Sequence, residues 1–118
     1  MSTSTDYKIN QQQIACVASF LAKEGKTEAL IAALASLIPD TRREAGCIRY
    51  ELNVSRDEPR RVTFVEKFVD IAAFDEHCAK DAIQHYFHQV MPELVESFHV
   101  ETVFIFELLD FMCKTLAQ

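Results

Sequence analysis

Cys47-Ile48-Arg49-Tyr50-Glu51-Leu52-Asn53-Val54 and Arg61-Val62-Thr63-Phe64-Val65-Glu66-Lys67-Phe68 are the stretches whose reading decides the fold. Both alternate with a period of two. In the first, Ile48, Tyr50, Leu52 and Val54 face one way, and Cys47, Arg49, Glu51 and Asn53 the other. In the second, Val62, Phe64, Glu66 and Phe68 share a face. One apolar face per strand is the mark of a half-covered antiparallel sheet. The polar run Ser55-Arg56-Asp57-Glu58-Pro59-Arg60 between them has the length of a hairpin turn.

Working outward, Ile14 to Leu21 is apolar and of strand length. Lys23-Glu24-Gly25-Lys26 is a turn. From Thr27 the period becomes helical, with Leu30, Leu34, Leu37, Ile38 and Thr41 on one stripe. Pro39 should kink or split that helix, because it removes a backbone donor and crowds the preceding turn. Gly46 is expected to be a left-handed residue after the helix end.

Downstream, Asp70 can cap a helix carrying Ile71, Phe74, His77 and Cys78. Asp81 can cap another, with Ile83, Tyr86, Phe87, Val90, Met91, Leu94 and Val95 on its apolar side and Pro92 bending or ending it. Val100 to Leu109 reads as the last strand. Residues 1–12 read as a flexible arm, 13–109 as the domain and 110–118 as a tail.

The order strand, helix, strand, strand, helix, strand predicts an α+β, ferredoxin-like split βαβ domain: a four-stranded antiparallel sheet with helices on one face. The other face then needs cover. A homodimer packed sheet to sheet is the expectation, since the first and last strands read as apolar on both faces.

The chain has 118 residues, a formal charge of −6, 49% hydrophobic residues and two glycines. Two glycines cannot furnish a dinucleotide fingerprint or a P-loop. The acidic balance argues against nucleic acid. No secretory leader is visible, and no apolar run approaches the roughly 20 residues that span a bilayer. A soluble, cytoplasmic protein with no membrane partner is expected. Cys16, Cys47, Cys78 and Cys113 form no Cys-x-x-Cys pair and read as reduced, mostly buried thiols.

Glu44-Ala45-Gly46-Cys47-Ile48-Arg49-Tyr50-Glu51-Leu52, Val65-Glu66-Lys67-Phe68-Val69-Asp70 and Ala73-Phe74-Asp75-Glu76-His77 resemble the antibiotic biosynthesis monooxygenase family over about residues 14–109. The resemblance implies a dimeric α+β barrel. It also implies one of the family's activities: cofactor-free oxidation of phenols and quinols, quinone chemistry, haem degradation or isomerisation of a phosphorylated furanone. Haem-degrading members carry Asn and Trp where this chain has Ser19 and Phe68, which points away from haem.

Glu66 sits among Phe64 and Phe68, where an unpaired carboxylate is costly. His77 on the following helix is its expected partner. Such a pair in an apolar cleft suits acid–base chemistry or, equally well by chemistry, a structural tie between helix and sheet. Tyr50, Phe64, Phe68, Phe74 and Ser19 are the candidate substrate-binding residues. The wider aromatic set, with Tyr86, Phe87 and Phe98, reads mainly as core. His85 and His88, spaced i, i+3, and His99 read as solvated, with no metal expected. Arg42 and Arg43 can serve a helix end or an anionic group.

The resulting expectation is a cofactor-independent monooxygenase of a small phenol or quinol, with molecular oxygen as co-substrate. An isomerase or tautomerase of a small keto or sugar-derived compound is the alternative within enzymes. A non-catalytic ligand-binding dimer is the alternative outside them.

Overall fold

The computed structural model describes residues 7–108. It is a four-stranded antiparallel sheet in the order β2-β3-β1-β4, with the helices on one face. The strands are β1 (Tyr7–Ala22), β2 (Cys47–Val54), β3 (Arg61–Phe68) and β4 (Val95–Leu108). The helices are α1 (Thr27–Ala35), α2 (Ile38–Arg42), α3 (Ile71–Cys78), α4 (Asp81–His85) and α5 (Met91–Leu94). This is the ferredoxin-like arrangement expected from the element order. No described helix is long and apolar enough to cross a membrane.

The core forms where β1 and β3 lie side by side under the helices. Ile14, Cys16, Ala18 and Phe20 pair with Phe68, Glu66, Phe64 and Val62, and all eight are buried. Leu30 and Leu34 of α1 close over them, as the helical stripe predicts. Pro39 splits the first helix: α1 ends at Ala35 and α2 restarts with the proline in its first turn, where its missing N–H costs nothing.

Several boundaries differ from the reading of the sequence. β1 begins at Tyr7, so residues 7–12 are strand and not a flexible arm. Between Asn10 and Ile14 the ladder with β4 is interrupted, and Asn10 Oδ1 accepts from the N–H groups of Gln12 and Gln13 at 2.9 and 3.0 Å. That side chain turns the polar run into a bulge. The chain then pairs Tyr7–Asn10 with Ile105–Leu108. β4 starts at Val95, not Val100. The tail 110–118 and Cys113 lie outside the described residues.

A second bulge, between Cys47 and Arg49, exchanges the faces at the start of β2. Cys47 pairs with Phe68 and packs on the core, whereas Ile48 is exposed. Gly46 is not left-handed; the positive φ belongs to Gly25, at 79°. Gly46 is required by space, since a Cβ there would collide with the Cβ of Ala73 on α3. Asp70 caps α3 as expected, accepting from Ala73 N–H at 2.8 Å. Asp81 does not cap α4; it is the first helical residue, after Lys80.

Between α4 and α5 the helix widens into a π-turn, Tyr86–Val90. Pro92 has no N–H to return to the carbonyl four residues earlier, and Met91 N–H reaches back five residues to Tyr86.

Candidate functional site

α3 and β3 bring His77 and Glu66 together under the helices, at 3% and 6% exposure. The Asp70 cap fixes the start of α3, and Gly46 lets that helix settle against the entry to β2. His77 Nε2 lies 3.9 Å from Glu66 Oε1. That is about 1 Å longer than a hydrogen bond.

A third group, missed in reading the sequence for catalytic residues, is Glu44. It lies in the turn between α2 and β2, held by hydrogen bonds from its N–H to Thr41 O and from Cys47 N–H to its own carbonyl. Its carboxylate is 3.3 Å from His77 Nδ1. A carboxylate can only accept, so Nδ1 carries the ring proton and the lone pair of Nε2 is turned to Glu66. The ring is pinned by Tyr50, edge-on at 5.3 Å, by Phe68 at 4.9 Å and by Phe74 at 6.4 Å.

Burial pushes the Glu66 carboxyl up to about 8, with a further push from the charge of Glu44. Burial pushes His77 down, against the hydrogen bond and charge of Glu44, which pull it up. Both directions favour an uncharged pair, a protonated Glu66 facing a neutral imidazole. Burial also lifts the thiols of Cys16 to about 12 and Cys78 to about 11, which makes them poor nucleophiles at neutral pH.

Glu66 and His77 line a cavity of about 60 Å³ with Tyr50, Phe64 and Phe74. Val100, 41% exposed, stands on its rim, so the cavity opens toward β4. Outside, a groove of about 540 Å³ runs past Glu44, Arg43 and Lys80, with Leu37 and Ile83 between it and the cavity. Glu44 therefore faces the wetter side of His77, and Glu66 the drier side.

Two candidates do not line the cavity. Ser19 is on the opposite face of the sheet, where its Oγ accepts from Thr63 Oγ1 at 3.2 Å. The parity of β1 decides this, because Ala18 is the residue that faces inward. Phe68 is fully buried behind the His77 ring and positions it. Arg42 is engaged with the Tyr50 carbonyl, at 3.1 and 2.9 Å, and Arg43 with Asp40 at 2.7 Å. His85, His88 and His99 are exposed.

The sequence profile of the antibiotic biosynthesis monooxygenase family matches residues 13–89. Among solved structures, protein SO0527 from Shewanella oneidensis is 93% identical with a TM-score of 0.86, over 86% of this chain and 99% of that one. Rv0793 from Mycobacterium tuberculosis is 30% identical with a TM-score of 0.72, over 77% of this chain and 92% of that one. PA3566 from Pseudomonas aeruginosa shares the fold at 24% identity and a TM-score of 0.74, over 80% of this chain and 94% of that one. A search of curated proteins finds no match.

Proposed function

Because this chain belongs to the antibiotic biosynthesis monooxygenase family, we propose that it is a cofactor-independent monooxygenase of a small phenol or quinol. Molecular oxygen is the co-substrate. The observation that carries this reading is the line Glu44–His77–Glu66, which ends on the wall of an apolar cavity.

His77 Nε2 takes the substrate hydroxyl proton, and Glu44 holds the ring in the right tautomer and stabilises its charge as it forms. The electron-rich anion reduces oxygen itself. One oxygen atom bonds to the ring and the other leaves as water, so a quinol becomes a hydroxyquinone and supplies all the electrons. Glu66, which keeps its proton at neutral pH, protonates the departing oxygen. Tyr50, Phe64 and Phe74 hold the ring.

Oxygen uptake with a panel of substituted hydroquinones tests this, in wild type and in His77→Ala. The variant should lose about 10²- to 10⁴-fold in kcat, the range for a positioned acid–base group. Unchanged turnover would remove His77 from the mechanism. Conversion of an enolisable ketone without oxygen uptake would favour an isomerase using the same pair to move a proton between carbons.

We also propose that the protein works as a homodimer in the cytoplasm. Val17, on the open face of the sheet, and Tyr7, Ile9 and Phe106, on the paired ends of β1 and β4, are exposed. A second copy supplies the cover such residues need. Cys16, Cys47 and Cys78 are free thiols, which suits a reducing compartment.

A further inference from the structure

The cavity beside Glu66 and His77 has a volume of about 60 Å³. An apolar cavity of about 150 Å³ takes up benzene or xenon, and one water has a share of about 30 Å³ in the liquid. As it stands, the space suits a molecule of about two heavy atoms.

Its walls decide which molecule. They follow β1 from Cys16, paired with Glu66, past Ala18, paired with Phe64, to Phe20. Glu66 and His77 bring polar atoms to the Cys16 end. Beyond them the lining is Ala18, Phe20, Leu34, Ile83 and Phe87, all apolar. The Tyr50 phenol is taken by the Thr41 hydroxyl, and the Tyr86 hydroxyl is enclosed in its own packing and does not open onto the space. A water needs two to four polar partners, so it is held only beside Glu66 and His77. The other end favours a small apolar molecule. Ala18 keeps that end open, a methyl among phenylalanines. Such a void costs stability, because its lining lacks partner atoms, and a larger residue at position 18 would fill it. The cavity opens toward β4 at Val100, so an occupant can enter from the half of the sheet that the helices leave uncovered.

We propose that the apolar end of this cavity is a dioxygen site, with Ala18 as the residue that makes room for it. This rests on the reading of oxygen as co-substrate and deepens it. The gas enters space already present, whereas a substrate ring needs the cavity to widen. Oxygen is then held in the same cavity in which His77 takes the substrate's proton.

The test dissolves oxygen under pressure with the wild-type protein and reads the paramagnetic relaxation of methyl protons by NMR. Ala18, Leu34 and Ile83 line the cavity, and Leu30 and Val62 are buried as deeply away from it. Relaxation at the first three should exceed that at the other two. Ala18→Leu fills the space and should abolish the excess at Leu34 and Ile83; Ala18→Val, a smaller addition, should reduce it where the leucine variant does not fold. Equal relaxation at all five residues overturns the proposal. So does an excess that survives in folded Ala18→Leu, or Overhauser contacts from water to the Leu34 and Ile83 methyls in place of the oxygen excess. Failure of the monooxygenase reading shows separately, as no oxygen uptake from any hydroquinone while the excess stands. Oxygen uptake without the excess keeps that reading and removes this site.

Discussion

Phe20 of β1 and Phe98 of β4 are paired across the sheet, on the same face, with rings stacked at 6.3 Å. Phe20 is 1% exposed and Phe98 is 53% exposed. The same contrast separates Ala18 from Val100 and Ile14 from Phe104. The sheet order puts β1 and β3 in the middle, where the helices close over them, and leaves β4 at an edge. One half of the helix-side face is thus a finished core, and the other is a surface with core composition. The cavity opens along the border between them, where Val100 stands. Stability belongs to the first half; the second leaves apolar side chains uncovered in the single chain.

The largest test of that contrast is a pair of truncations. Phe20→Ala should cost about 3–5 kcal/mol in denaturant unfolding, as for other buried phenylalanines. Phe98→Ala should cost the isolated subunit only about 1 kcal/mol, because about half of the side chain is already in water. Equal losses would mean that the β4 half is as closed as the β1 half.

Next comes assembly. Phe106→Asp places a charge among the exposed apolar side chains of the β1–β4 ribbon. It should weaken self-association at least tenfold, about 1.4 kcal/mol, by sedimentation across a concentration series. A wild type that sediments as a monomer at micromolar concentration removes the homodimer altogether.

A smaller effect separates the dry and wet sides of His77. Glu66 holds its proton up to about pH 8 when folded and gives it up near pH 4.3 when unfolded. The folded state binds the extra proton in that window, so this group's contribution to stability is lost as pH rises. His77 is shifted downward, so its contribution is lost as pH falls below about 6.5. Above that the Glu66 effect stands alone. Between pH 6.5 and 8, Glu66→Gln should gain stability relative to wild type by about 1 kcal/mol. A pH-independent difference would mean that Glu66 is ionised throughout.

The smallest expected effect is at Ser19, across the sheet from the cavity. Ser19→Ala should change stability by less than about 0.5 kcal/mol and turnover not at all.

These contrasts also mark how far the sequence could be read. Val62, Phe64, Glu66 and Phe68 were legible because β3 is covered along its whole length, so burial and period agree. Their partner His77 followed from the helix that Asp70 starts. Ile48 and Cys47 were assigned to the wrong faces because one bulge reverses parity, and no composition marks it. Glu44 sits in a connection between helix and strand, where side-chain direction has no period; Gly46 two residues on was the visible clue. Asn10 hid a strand inside a polar run, since a bulge held by an amide looks like a loop. Tyr86 was one aromatic among many, and only the missing partner of its hydroxyl distinguishes it.

The wide turn at Tyr86–Val90 makes chain length a dial for this pocket. A π-turn is an α-helix with one residue more than its hydrogen bonds need. Deleting a single residue before Pro92 would restore the narrower helix and rotate its N-terminal part by about 100° relative to its C-terminal part. The Tyr86 side chain would swing away from its place on the cavity wall and another would take its position. One codon lost or gained there would thus reshape one wall of the cavity, with Glu44, His77 and Glu66 left where they are.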